Sequence, residues 1–309
     1  MGIARLLGRV CPPIVLLQPA MLLTAALPAP FTAAAPAPAR VDCKSVTPAV
    51  AARSAIAPTG ASTASTTVRG HLNAQGELVG RSLTAQSASN TPLSVALPVE
   101  SFVGRPSGDL VVYTRYAPAS GSEVRAVNPV TRCDVRLAAP TEIVRSAVLD
   151  KTATALFVHS VTRAMRADAG VMRYDLQSGS AAQVVAALQP SEDFGPIFGT
   201  DLRWSVDGRA LAVQSCGLSA CLTRVLDLWT GSTSEYAAPG QGGFVALSGE
   251  HLVTYAACGG LPCDVLSTDL ETGTVVVLAT NASDVQSAAN GSAATLTITT
   301  PAGQIEVVQ

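Results

Sequence analysis

Seven cysteines supply the most reactive side chains of this 309-residue sequence. Four of them recur in a fixed frame: CGLSACLTRVLDLWTG (Cys216 to Gly231) comes back 42 residues later as CGGLPCDVLSTDLETG (Cys258 to Gly273). Two thiol pairs so placed could bind zinc or close disulfides. Zinc would need all four sulfurs about 2.3 Å from one ion, in a chain kept reduced. A repeat puts the two pairs on different structural units, so each pair is expected to close across its own turn, and no metal is expected.

Other chemistry is sparse. The three histidines, His71, His159 and His251, stand far apart without ligand spacing, and read as strand or loop residues. Gly217-Leu218-Ser219-Ala220-Cys221 approaches a nucleophile elbow, but lacks the final glycine and the strand-to-helix setting that exposes such a serine. No calcium loop or phosphate-cradling glycine loop occurs, and no cofactor is expected. A formal net charge of -2, with Lys44 and Lys151 the only lysines, argues against a nucleic-acid partner, which would require a basic stripe.

The N-terminus reads as an export signal over residues 1–39. Arg5 and Arg9 precede an apolar stretch from Ile14 to Leu27, and Ala37-Pro38-Ala39 forms a small-residue cleavage site. Five interruptions by Pro and Gln argue against a retained span, which needs about 20 apolar residues, so no transmembrane segment is expected in the mature chain. Loss of the leader removes Cys11 and leaves six cysteines, an even number suited to an oxidising compartment. With Cys216 paired to Cys221 and Cys258 to Cys263, elimination pairs Cys43 with Cys133.

Residues 40–67 are rich in Ala, Ser, Thr and Pro, and such a stretch cannot bury enough apolar surface to offset the entropy of ordering. From 68 to 309, short runs of Val, Leu, Thr and Tyr alternate with Gly, Pro, Asn and Asp turn signals, which is an all-β pattern. The runs also repeat. WSVDGRALAVQSC followed by CLTRVLDLWTG is echoed by ALSGEHLVTYAAC with CDVLSTDLETG, and earlier by VLDKTATALFVHS with VMRYDLQSG. A unit of roughly 40 residues holding three or four strands is the period of a β-propeller blade. The count gives about six blades, with five or seven left open by faint terminal copies. Since QIEVVQ ends in mid-blade, residues near the mature start are expected to supply the missing strand.

Trp204-Ser205-Val206-Asp207-Gly208 with Asp227-Leu228-Trp229-Thr230-Gly231 resembles the propeller repeat of the TolB family and its WD-type relatives, whose common form is Trp-Ser-Pro-Asp-Gly, a strand, then Asp-Leu-x-x-Gly. Val206 departs from the usual proline. The resemblance implies the fold; propellers carry many functions, so it does not imply a partner. Trp204 is expected to pack between blades.

In a four-stranded blade the first and third turns open on one rim, and the second turn and the link to the next blade open on the other. The cysteine hairpins therefore share a rim with the inter-blade links. One link carries about ten extra residues by comparison with its neighbour and contains Glu192, Asp193, Phe194 and Phe198; the long hairpin Ser160 to Gly170 beside it carries Arg163 and Arg166. Loops on a rigid scaffold are the usual carriers of binding residues. These six are the candidate ligand-binding residues of a secreted, monomeric, non-catalytic propeller with a protein, peptide or glycan partner. The alternative is an exported hydrolase or lyase acting on a saccharide in the central channel, which would require three or more carboxylates or histidines to converge there.

Overall fold

The computed structural model describes residues 65–86, 92–99, 101–104, 110–117, 121–129, 133–150, 152, 154–189, 195–217, 221–238, 243–256, 262–290 and 293–309. They form six antiparallel sheets in chain order, without a helix among them. The first holds β1 (Ser65–Leu72), β2 (Leu78–Gln86) and β3 (Leu93–Leu97); the second β4 (Val111–Ala117), β5 (Gly121–Asn128) and β6 (Cys133–Ala138). The third holds β7 (Ile143–Leu149), β8 (Ala155–Val161), β9 (Asp168–Asp175) and β10 (Ala181–Val185). The fourth holds β11 (Gly199–Trp204), β12 (Ala210–Cys216), β13 (Cys221–Asp227) and β14 (Thr233–Ala238). The fifth holds β15 (Phe244–Leu247), β16 (His251–Tyr255), β17 (Cys263–Asp269) and β18 (Val275–Ala282); the sixth β19 (Asp284–Asn290), β20 (Ala293–Thr300) and β21 (Gly303–Val308). These are the blades of a β-propeller, in line with the count of about six that the repeat gives. An isolated bridge sets Val103 opposite Tyr113 at the edge of the second blade, where Gly104 N–H donates to Val112 O and Thr114 N–H donates to Phe102 O.

Burial follows position in the series. A blade between two others is covered on both faces, so its middle strands must be apolar on both; every residue of ALFVHSV in β8 is buried. The edge strand β3 alternates instead: LSVAL buries Leu93, Val95 and Leu97 while exposing Ser94 and Ala96. Five buried clusters join successive blades. Each fully buried Val, Leu or Phe in them contributes roughly 1.5–3 kcal/mol. In the cluster joining the third and fourth blades, Trp204 meets Phe157 edge-on at 5.2 Å and donates its indole N–H to Leu149 O at 2.7 Å. Its expected packing role is thus realised, with the one polar atom of the ring satisfied.

The blade frame repeats in its turns. The Asp175, Asp227 and Asp269 carboxylates each accept two backbone N–H bonds within their own turn. Gly179, Gly231 and Gly273 close these turns at φ values of 72°, 71° and 70°, a left-handed conformation that any side chain disfavours. The residues expected to complete the last blade, near the mature start, lie outside the described residues.

Candidate functional site

β12 and β13 stay in register to their ends, so Cys216 and Cys221 face each other as the last pair of the ladder. Their disulfide closes the hairpin with the Cα atoms 4.0 Å apart. Cys133 and Cys263 are also disulfide-bonded; Cys43 and Cys258, the partners expected for them, lie outside the described residues.

The stapled hairpin supports the link that enters the fourth blade. Phe198 N–H donates to Cys216 O at 2.9 Å. Gly199 lies so close that a Cβ on it would stand 3.3 Å from that of Cys216. On the other side, Arg145 of β7 donates to Phe198 O at 3.3 Å, and Ile197 N–H donates to Arg166 O at 2.9 Å. Ile197 itself is buried against Ile143 and Val161. The backbone of this link is thus clamped between two blades while the Phe198 ring remains 56% exposed.

A cavity of about 460 Å³ opens here, and Arg81, Arg145, Arg166 and Phe198 line it together. A second, of about 740 Å³, runs from Phe198 beneath the disulfide to Asp201, Arg203 and Phe244. Within it Arg203 is committed: Nε donates to Asp201 at 2.8 Å, and the guanidinium lies over the Phe244 ring at 4.8 Å. Of the residues singled out from sequence, Arg166 and Phe198 meet at the first cavity. Arg163 turns aside, donating from Nε to Thr141 O at 2.8 Å. Glu192, Asp193 and Phe194 lie outside the described residues. Arg81 and Arg145 were not singled out, because each sits on a strand far from the loops in sequence.

A buried hub holds the other end of the link. Asp168 Oδ2 accepts from His159 Nε2 at 2.9 Å, from the Ser215 hydroxyl at 2.7 Å and from Arg224 at 2.9 Å. Oδ1 accepts Gly170 N–H and Leu188 N–H, and Arg224 also donates to Ala186 O. Burial pushes the Asp168 carboxyl up, but the hydrogen bond and attraction of His159, the charge of Arg224 and the Ser215 hydroxyl outweigh it and hold it well below the usual carboxylate range. His159 therefore enters the structure not as an isolated strand residue but as part of a clamp joining the third blade, the fourth blade and the start of the link.

Serine, histidine and aspartate in one cluster invite a catalytic reading, which the hydrogen bonding opposes. In a working triad one imidazole nitrogen takes the serine proton while the other donates to the carboxylate. Here the same Nε2 faces both groups, and the Ser215 proton is given to Asp168 directly. All four side chains are buried, so no substrate reaches the hydroxyl. Among the described residues, no three His, Cys, Asp or Glu side chains gather as a metal site would require.

No protein-family model matches the sequence, and no curated protein does. Solved structures do match the fold. TolB from Acinetobacter baumannii is similar with a TM-score of 0.50 at 13% identity, over 80% of this chain and 64% of that one, so this chain spans less than two thirds of the TolB length. The β-propeller domain of the Trilobed protease from Pyrococcus furiosus gives 0.48 at 10%, over 80% and 77% of the two chains. The Dos1 propeller gives 0.45 at 10%, over 78% and 82%. At such identities the first likeness establishes the β-propeller architecture and no narrower family.

Proposed function

We propose that this protein is an extracytoplasmic, non-catalytic binding propeller of TolB-like type, which engages a protein or peptide partner on the rim formed by the Cys216–Cys221 hairpin and the link ending at Phe198. One observation carries the reading: two separate blades and the link deliver Arg81, Arg145, Arg166 and Phe198 to one cavity on that rim. Guanidinium groups beside an exposed ring fit a partner bearing carboxylates next to apolar side chains, because Arg pairs carboxylates in a fixed fork and aromatic anchors carry much of the energy of protein interfaces. A glycan with acidic substituents would use the same groups.

The disulfides support an oxidising compartment, and residues 1–39 would direct the chain there and be removed. Glu192, Asp193, Phe194 and Arg163 remain further candidate ligand-binding residues in this reading. The mature protein would act as a monomer, without a cofactor or nucleic acid. Among the described residues no helix is long and apolar enough to cross a membrane.

The test is capture of partners from culture medium and envelope extract by the mature protein, compared with Phe198→Ser and with Arg166→Ala. Loss of the same captured species from both variants is the expected result. Equal recovery by all three forms would refute the rim as the binding surface.

A further inference from the structure

The opposite rim carries a side chain that the fold does not use. Trp229 is 94% exposed. Three turns of one construction separate its role from that of its neighbours: the third position is Gln177 in the third blade, Trp229 in the fourth and Glu271 in the fifth. In all three the aspartate bonds the same two backbone N–H groups and the glycine takes the same φ. The turn needs its aspartate and its glycine, and is indifferent to an indole. An indole left in water forgoes the burial of about 150–250 Å² of surface that makes aromatics dominate cores and interfaces.

The surroundings indicate what it would meet. Trp229 and Leu228 border a cavity of about 610 Å³ that also touches Arg209 and Asp227. Through those last two residues it adjoins a second cavity of about 490 Å³, bounded by Asp207, Ser248 and Glu250. Along the combined groove three carboxylates face one guanidinium, and Arg209 Nε lies 3.8 Å from Asp207 Oδ2. The N–H groups of Thr230 and Trp229 hold the Asp227 carboxyl below the usual range, so it is charged at neutral pH. The equivalent turn of the fifth blade carries Asp269 and Glu271. A tryptophan face is the best aromatic partner for a cation, and an acidic groove selects a basic ligand by charge complementarity.

We propose that Trp229 and this acidic groove form a second docking surface, for a basic peptide segment of a partner protein, with a guanidinium or ammonium group stacked on the indole and paired with Asp227 and Glu250, and an apolar side chain against Leu228. The surface lies on the rim opposite the disulfide hairpin and is independent of the reading given for that hairpin.

The test is calorimetric titration of the full chain with three probes: a blocked hexapeptide of alternating leucine and arginine, its leucine and glutamate counterpart, and a neutral glucan oligosaccharide. Saturable binding of the arginine peptide alone is expected, weakening as salt is raised. Trp229→Gln, which installs the residue that the equivalent turn of the third blade carries, should keep the melting temperature and weaken that binding at least tenfold. Arg209→Gln removes the one opposing charge and should tighten it. No saturation by the arginine peptide, preference for the glutamate peptide or the glucan, or weaker binding by Arg209→Gln would each overturn the proposal.

Discussion

Asp168 ties the third and fourth blades to the link between them, since five donors from two blades and the link meet its two oxygens. Removing one partner from a buried ion pair leaves the others uncompensated, at a cost of roughly 3–5 kcal/mol. Asp168→Asn should therefore lower unfolding stability by about that amount in denaturant titration. A loss below about 1 kcal/mol would show that the hub is not a clamp. The pH dependence follows from the same group. Its folded pKa lies below the unfolded value of about 3.9, so its stabilisation is complete above that value and is lost as pH falls toward the folded one. The wild type should lose stability on acidification below about pH 4, and Asp168→Asn should lose distinctly less over the same interval. Nothing in the sequence announced this hub. His159, Asp168, Ser215 and Arg224 come from four strands, and only the stacking of the third blade on the fourth brings them together.

At the scale of elements, the turns and hairpins were the legible part. The Asp-x-x-x-Gly pattern marks a backbone need that one aspartate and one left-handed glycine satisfy, and it recurs in the structure at Asp175, Asp227 and Asp269. Gly231→Ala has open space for a methyl group, so its cost is conformational alone, about 1–2 kcal/mol. That change should appear as a lower melting temperature with partner capture on the other rim unaltered. The Cys216–Cys221 pairing was legible for the same reason, because a five-residue spacing across a tight turn leaves few other partners within reach. Its loop is short, so opening it should cost only about 2 kcal/mol on the chain-entropy model. The double variant Cys216→Ser/Cys221→Ser should then remain folded by circular dichroism but capture far less partner, because Phe198 loses the rigid edge to which its N–H is bonded. Full capture by that variant would reduce the disulfide to a stabilising role.

For the molecule as a whole, the repeat of about 42 residues led to a count of about six blades and to an expected rim for each turn, since a period fixes which turns share an edge. The composition of the site did not follow. Arg81 and Arg145 belong to strands β2 and β7, where an arginine reads as one more solvated position until the blades place both beside Phe198. The resulting molecule has two unlike edges: arginines and a phenylalanine around the cavity on the hairpin rim, carboxylates and a tryptophan along the groove on the other. In the proposed reading, partners bind at the hairpin rim of the third and fourth blades. The most direct measurement is hydrogen exchange on the full chain with and without its captured partner. Slowed exchange in residues 162–167 and 195–200 and around Cys216 and Cys221 is the predicted result. Unchanged exchange there, with protection confined to other blades, would contradict the account.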